Sequence, residues 1–170
     1  MRFKLRKKIL AIASSYEIHD ENDNLAFVAK GKILSFGDHI TVTDPRQQTV
    51  FTLRQKVFAI LPTYRIAFGD GTSAQVKQRF SFFRKRFSVV GLANVELTAQ
   101  GSLFDYEYEI TDQGNKPIAN VSKKFFALSD TYGIDIHDDR YQHAVLACNL
   151  VISLVRAKQL KKEAAQKTME

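Results

Sequence analysis

The sequence has a single cysteine and none of the common catalytic signatures. One cysteine excludes an internal disulfide, which favours a reducing compartment. Neither a Gly-x-Ser-x-Gly nucleophile turn nor a phosphate-binding glycine loop ending in Gly-Lys-Ser/Thr is present. Cys148 lies among Leu and Val, where a thiol is expected to be inert core filling. The sequence therefore predicts a protein that is not an enzyme and uses no cofactor.

Long hydrophobic runs are also missing. A membrane-spanning helix needs about 20 apolar residues, and the longest such stretch, Ala144–Val155, has 12. Near the start, the apolar segment Ile9–Ala13 has five residues, which is too short for the core of a signal peptide. These lengths predict no signal peptide, no transmembrane span and a cytoplasmic location.

The stretch Ala144–Val155 organises the rest of the chain. It contains no Gly or Pro, and only Asn149 and Ser153 interrupt its apolar side chains, which fall on every side of a helical projection. A helix without a polar face must be buried. The sequence predicts a central helix over about residues 140–158 and a polar tail over 159–170, with Asn149 hydrogen-bonded in the interior.

Upstream of this helix, one segment recurs six times as a basic residue followed by apolar positions. The successive spacings of the five clearest copies are 24, 24, 23 and 45 residues, and a weaker copy divides the longest spacing. The copies are Lys8–Ala11, Lys32–Ser35, Lys56–Ala59, Arg79–Phe82, Gly101–Phe104 and Lys124–Ala127. Such a period indicates a repeated supersecondary unit. The alternation in each unit, with Phe51, Leu53 and Val57 on one parity, indicates half-buried strands.

Turn signals divide each unit into two strands. Clusters of Gly, Asn and Asp favour tight hairpins, and short connections make neighbouring strands antiparallel. The predicted fold is mainly β, with twelve antiparallel strands in an up-and-down closed barrel. Because a barrel of this size is too wide for side chains alone to fill, the central hydrophobic C-terminal α-helix is expected to occupy it. Residues 1–158 would form one domain.

Several motifs resemble the LURP-one-related family, which shares the tubby-like, scramblase-like fold. They are the basic–aromatic repeats, Ser81–Phe87, Ser122–Phe126, Asp130–Ile136 and Asp138-Asp139 before the apolar helix. The resemblance implies a twelve-stranded barrel around a hydrophobic helix, over about residues 1–158. It also implies a function by analogy, since tubby proteins bind phosphoinositides and scramblases act at membranes.

A band of cations is the first candidate site. When the repeats are superposed, pairs of basic residues two positions apart align on every second strand. Residues two apart point to the same side of a strand, and here that side is the one away from the core. They are Arg6, Lys8, Lys30, Lys32, Arg54, Lys56, Lys77 and Arg79. The band predicts a surface for phosphate groups; the alternative is a solvated strand face whose lysines discourage edge pairing.

A second candidate combines five cations with four phenylalanines over Lys77–Phe87, without an acid. Arg84, Lys85 and Arg86 should occupy a short loop, where they suit an anionic membrane surface or single-stranded nucleic acid. The alternative is that the rings are core; Phe80 and Phe82 have the inward parity, which leaves Phe83 open.

Acidic residues before the helix form a third, weaker candidate. Asp135, Asp138 and Asp139 offer oxygen ligands for calcium, but no EF-hand spacing accompanies them. His137 and His143 lack a third strong ligand for zinc. The favoured interpretation is that Asp138 or Asp139 caps the helix N-terminus. The sequence therefore predicts no metal site.

These features favour one function over two alternatives. The net charge of +7 favours an anionic partner, so the leading hypothesis is binding of anionic phospholipid or phosphoinositide at the inner membrane face. The first alternative is a protein-interaction module that uses the acidic half around Asp105–Asp112, since residues 105–139 carry a net charge of −5. The second alternative, which is less favoured, is nucleic-acid binding through the basic face.

Overall fold

The chain folds as a closed antiparallel barrel of twelve strands in sequence order, with β1 paired to β12. The structure, a computed structural model, describes residues 1–9, 14–34, 37–123 and 131–168. The strands are β1 (Arg2–Ile9), β2 (Ser14–Asp20), β3 (Leu25–Leu34), β4 (Gly37–Thr43), β5 (Thr49–Gln55), β6 (Thr63–Phe68), β7 (Ser73–Arg79), β8 (Arg86–Leu92), β9 (Val95–Ser102), β10 (Glu107–Asp112), β11 (Pro117–Ser122) and β12 (Thr131–Ile136). Helix α1 (Gln142–Lys167) follows, and the predicted architecture is confirmed.

The core lies between the inner faces of the strands and helix α1. Side chains alternate along each strand, as in β4, where Ile40 and Val42 are buried and His39 and Thr41 are less so. The helix buries all twelve residues from Ala144 to Val155. It has no polar face, so every side of it contacts the barrel wall, which explains why the strands close around it.

Two polar side chains of α1 find partners on the wall. The Tyr108 hydroxyl donates to Asn149 Oδ1 at 2.5 Å, and Asn149 Nδ2 donates to the Val145 carbonyl at 2.8 Å. The hydroxyls of Tyr132 and Ser153 are 2.9 Å apart. The expected internal hydrogen bonding of Asn149 is therefore confirmed. Burial raises the pKa of the Cys148 thiol to about 12, as suits an inert core residue.

Helix α1 continues further than the predicted end near residue 158. It reaches Lys167 because the tail is rich in helix-forming Lys, Ala, Glu and Gln and contains no Gly or Pro. The segment after Val155 leaves the barrel and is largely exposed. The segment predicted as a polar tail is therefore a regular part of the helix through Lys167.

The fifth repeat has Gly101 where the other copies have a basic residue, and the reason lies in the backbone. Gly101 in β9 has a φ of +135°, and a Cβ there would lie 2.8 Å from the Glu107 carbonyl oxygen and 2.9 Å from the Cα of Tyr108. No L side chain fits this close approach of β9 to β10. The sixth repeat, Lys124–Ala127, lies outside the described residues.

Candidate functional site

The two ends of the barrel differ in chemistry. Helix α1 enters at the end formed by the β-turns after even-numbered strands, which we call the turn end. It leaves at the opposite end, where odd-numbered strands stop, which we call the loop end. Two neighbouring loops mark the loop end: the β5–β6 loop (residues 56–62) and the β7–β8 loop (residues 80–85). The Gln78 amide donates to the Pro62 carbonyl at 2.8 Å, which joins their bases.

These two loops carry the most exposed large apolar side chains of the described chain. The exposed fractions are 100% for Phe58 and Ile60, 97% for Phe83, 85% for Phe82 and 76% for Phe80. The rings of Phe80 and Phe82 contact each other edge to face, with centroids 5.1 Å apart. Five such residues on two neighbouring loops are an unusual concentration of exposed apolar side chains.

The inward orientation expected for Val57, Phe80 and Phe82 is wrong. Strand β5 ends at Gln55 and β7 ends at Arg79, so the period-two parity stops before these residues. The emerging helix also occupies the barrel mouth there, with Lys158 contacting Gln55 and Asp38. Pro62 was the sequence signal that the strand had ended, because proline cannot donate a hydrogen bond to a sheet. The apolar run Val57–Leu61 gave no sign of exposure, since such a run is typical of a buried segment.

Cations flank the exposed rings along the chain. Lys56 begins one loop, Arg84 and Lys85 end the other, and Arg86 follows as the first residue of β8. Neither loop contains a carboxylate. Lys161 and Lys162 extend from α1 at the same end. Apolar tips with cations at their base match an anionic, partly apolar surface.

The described members of the predicted band lie on the outer wall close to this end, except Lys56, which was expected on a strand and instead begins the β5–β6 loop. Lys8 is one residue before the end of β1, Arg54 is one residue before the end of β5, and Arg79 ends β7. Some of its members are neutralised: Arg6 pairs with Asp23, Lys8 with Glu17 and Arg79 with Glu96.

Other members of the band have no ion pair within the described residues. They are Lys30, Arg54, Lys56 and Lys77. The side chain of Lys32 lies outside the described part. The band therefore has ion-paired members on β1 and at the end of β7. Between them lie members on β3, β5, β7 and the β5–β6 loop that have no ion pair within the described residues.

Sequence reasoning missed one cation of this wall, Arg65. It lies directly across from Arg54 in the β5–β6 pairing, with His39 on the other side of Arg54. Like charges directly opposite each other destabilise a sheet, and an anion between them would remove that cost. The repeat pattern did not reveal Arg65, since it lies on an even-numbered strand outside the aligned copies.

Carboxylates concentrate at the turn end instead. They are Asp20, Glu21, Asp23, Asp44, Asp70 and Asp112, in or beside the turns that join even strands to the next odd strand. Several stabilise their turns, as when Asp44 Oδ1 accepts from the Gln48 amide at 2.9 Å. Charge is thus graded along the barrel axis, in addition to the predicted excess of acids in β10–β12.

The acidic candidates before α1 take part in ion pairs and a cap. Asp138 accepts from the Arg140 amide at the start of the 3₁₀ turn Asp139–Tyr141, and its carboxylate binds the Arg140 guanidinium at 2.7 Å. The hydrogen bond from Arg140 lowers the pKa of Asp138 to about 2. The cap thus serves the 3₁₀ turn that leads into α1.

Metal ligation finds no support at these positions. Asp135 pairs with Arg2 at 3.0 Å, and Asp139 is 3.9 Å from the N-terminal amine. His143 packs against the rings of Phe27 and Phe51. Across the described ranges, no group of three or more His, Cys, Asp or Glu side chains lies close enough to hold a metal ion.

Comparisons with known proteins agree with the fold. No helix in the described part of the chain is long and apolar enough to span a bilayer. The chain is 29% identical over 147 residues to the uncharacterised protein YxjI of Bacillus subtilis strain 168, which covers 86% of each chain. It resembles the X-ray structure of an Arabidopsis thaliana protein with a TM-score of 0.60 at 15% identity, over 89% of this chain and 91% of the other.

The comparison that identifies the family covers nearly the whole barrel. The model of the LURP-one-related family matches residues 1–153, which run from β1 into the buried part of α1. This range includes all the repeats and the motifs that suggested the resemblance. The twelve-stranded barrel closed around one C-terminal helix has the tubby-like architecture. The chain therefore belongs to the LURP-one-related family.

Proposed function

We propose that this protein is a non-enzymatic module that binds the surface of anionic membranes through the loop end of its barrel. The observation that carries the proposal is the pair of adjacent loops with five exposed apolar side chains, flanked by cations and free of carboxylates. Insertion of the rings below the head groups would leave the cations at the level of the phosphates.

The energetics favour both parts of this contact. Burial of each large apolar side chain contributes about 1.5–3 kcal/mol, and each cation near an anionic surface contributes about 1 kcal/mol. Phe58 and Phe82 belong to different loops and are exposed already, so their insertion requires no unfolding of the barrel. The wall cations Arg54 and Arg65, near the same rim, would add electrostatic attraction.

The experiment is sedimentation with vesicles of phosphatidylcholine alone or with phosphatidylserine added, at low and physiological salt. The wild-type protein should sediment with the anionic vesicles and should not bind the neutral ones. Phe58→Ser with Phe82→Ser should weaken binding by about tenfold or more per ring, since 1.4 kcal/mol corresponds to a factor of ten. Both side chains lack core contacts, so the melting temperature should stay unchanged.

The matched control is Leu25→Ser, which removes an exposed apolar side chain at the turn end. It should bind like the wild type. Equal binding to neutral and anionic vesicles, or no binding to either, would contradict the proposal. Binding to single-stranded nucleic acid with a steep salt dependence, or capture of a basic partner that requires the acids around Asp105–Asp112, would support the alternative functions instead.

A further inference from the structure

A cavity of about 400 Å³ opens at the loop end, between the emerging helix α1 and the two apolar loops. Pro62 of the β5–β6 loop and Lys85 of the β7–β8 loop form two of its walls, and Lys158 and Lys162 of α1 form a third. If the rings insert as proposed above, this cavity lies between helix α1 and the inserted loops, at the level of lipid head groups.

The chemistry of the lining is cationic and rich in hydrogen-bond donors. Three lysines and three glutamines line the cavity, and none of the lining residues is an acid. They are Lys85, Lys158, Lys162, Gln55, Gln78 and Gln159. An ammonium group and an amide both donate hydrogen bonds, as an oxyanion requires.

The charges in the cavity correspond to a ligand with two negative charges. Asp38 compensates Lys158 from beneath, with 2.7 Å between Oδ2 and Nζ. Lys85 and Lys162 have no ion pair within the described residues. Two positive charges without an ion pair therefore remain among the lining residues, while Glu163 lies outside the lining and accepts from Gln159 Nε2 at 2.8 Å. A phosphate monoester carries about −1.5 to −2 near pH 7 and presents three acceptor oxygens, whereas a diester carries a single charge.

The cavity is also partly organised before any ligand binds. Lys158 donates to Gln55 Oε1 at 2.7 Å. The Tyr64 hydroxyl donates to Asp38 Oδ2 at 2.6 Å and so holds the carboxylate that pairs with Lys158. The Lys158 ammonium is therefore fixed from two sides. The Lys85 ammonium lies 4.8 Å from the centroid of the Phe104 ring. Cations held in place lose less side-chain entropy on binding.

We infer that this cavity binds the phosphomonoester head group of a membrane lipid. The inference rests on the proposed function and narrows it to one class of lipid. The membrane is the source of the ligand because the cavity opens beside the loops whose rings are proposed to insert.

The test compares vesicles that contain phosphatidic acid with vesicles that contain phosphatidylserine, adjusted to the same zeta potential at pH 7.4. The wild-type protein should bind the phosphatidic acid vesicles about tenfold more tightly, as expected for added charge-assisted hydrogen bonds. Lys85→Gln with Lys162→Gln should abolish this preference. At pH 5 the monoester carries about one charge, so the preference should also disappear there.

The matched control is Lys56→Gln with Lys161→Gln. It removes the same charge from one loop residue and one helix residue at the same end, outside the lining. It should weaken binding to both vesicles but keep the preference for phosphatidic acid.

Four outcomes would count against one proposal or the other. Equal binding to the two vesicles, or a preference that survives in Lys85→Gln/Lys162→Gln, would overturn the head-group site and leave membrane binding intact. Tight binding of soluble glycerol 3-phosphate without vesicles would overturn the membrane as source. No binding to any anionic vesicle would instead contradict the proposed function itself.

Discussion

At the scale of single residues, the interior depends on a few polar groups that are fully satisfied. Asn149 is buried in the middle of α1, and its amide has one partner on the helix and one on the wall. An unsatisfied amide oxygen in this position would be costly, because water cannot reach it. Tyr108 therefore contributes to stability through its hydroxyl as well as through its ring.

We expect Tyr108→Phe to lower the free energy of unfolding by about 1–3 kcal/mol, because it leaves Asn149 Oδ1 without a donor. Tyr132→Phe should cost less, since the Ser153 hydroxyl can turn to a carbonyl one helical turn earlier. Urea denaturation of both variants measures the difference.

The double variant Tyr108→Phe/Asn149→Leu provides a check on this interpretation. It leaves no unsatisfied polar group, so its loss should be smaller than the sum of the two single losses. Strictly additive losses would show that the hydrogen bond contributes little.

At the scale of elements, α1 consists of two segments with different roles. The segment Ala144–Val155 is buried on every side, whereas the segment from Ala157 to Lys167 is mostly exposed. Between them, the Arg156 guanidinium donates from Nε to the Phe104 carbonyl at 2.6 Å, which anchors the helix at the barrel mouth. The first segment fills the barrel, and the second presents lysines at the loop end.

This division predicts that a Leu→Asp substitution has a large effect on stability in one segment of the helix and a negligible effect in the other. Leu150→Asp should destabilise the protein by more than about 4 kcal/mol, because a carboxylate would be buried without a partner. Leu160→Asp, on the exposed segment, should change the stability by less than about 0.5 kcal/mol. Thermal unfolding followed by circular dichroism measures both. A full cooperative transition in Leu150→Asp would contradict the central role of the helix.

At the scale of the whole molecule, the barrel separates unlike surfaces. The turn end carries acidic turns, and the loop end carries exposed rings and lysines. Strands of up to ten residues at about 3.3 Å per residue set the ends roughly 20–30 Å apart. Because the Debye length is about 10 Å at 0.1 M salt, charges at one end have little influence at the other.

The position of a charge on the barrel should therefore affect membrane affinity more than the net charge of the protein does. Glu21→Lys with Gln48→Lys adds three positive charges at the turn end, and we expect it to change affinity for anionic vesicles by less than about twofold at 0.1 M salt. Lys56→Gln with Arg84→Gln removes two at the loop end and should weaken binding by about tenfold or more. Vesicle titrations measure both variants. Affinity that follows the net charge alone would contradict the proposed orientation.

The sequence alone determined the barrel and its filling. The near-constant repeat and the alternation in each copy specify twelve strands, because a strand of period two with one apolar parity can bury only one face. The uniform apolarity of Ala144–Val155 specifies a buried helix, since such a segment has no side that water would stabilise. These are local properties of the chain, so they can be read without knowledge of distant contacts.

Only the tertiary structure decided which surface the cations and rings form. Phe80 and Phe82 had the parity of core residues, but β7 ends at Arg79 and the emerging helix occupies the mouth. Arg65 is the neighbour of Arg54 because strands β5 and β6 pair. Lys162 and Lys85 line the same cavity because α1 leaves the barrel beside the β7–β8 loop. Where a strand stops, and what meets at the end of a barrel, depends on packing between residues far apart in the sequence, which periodicity does not encode.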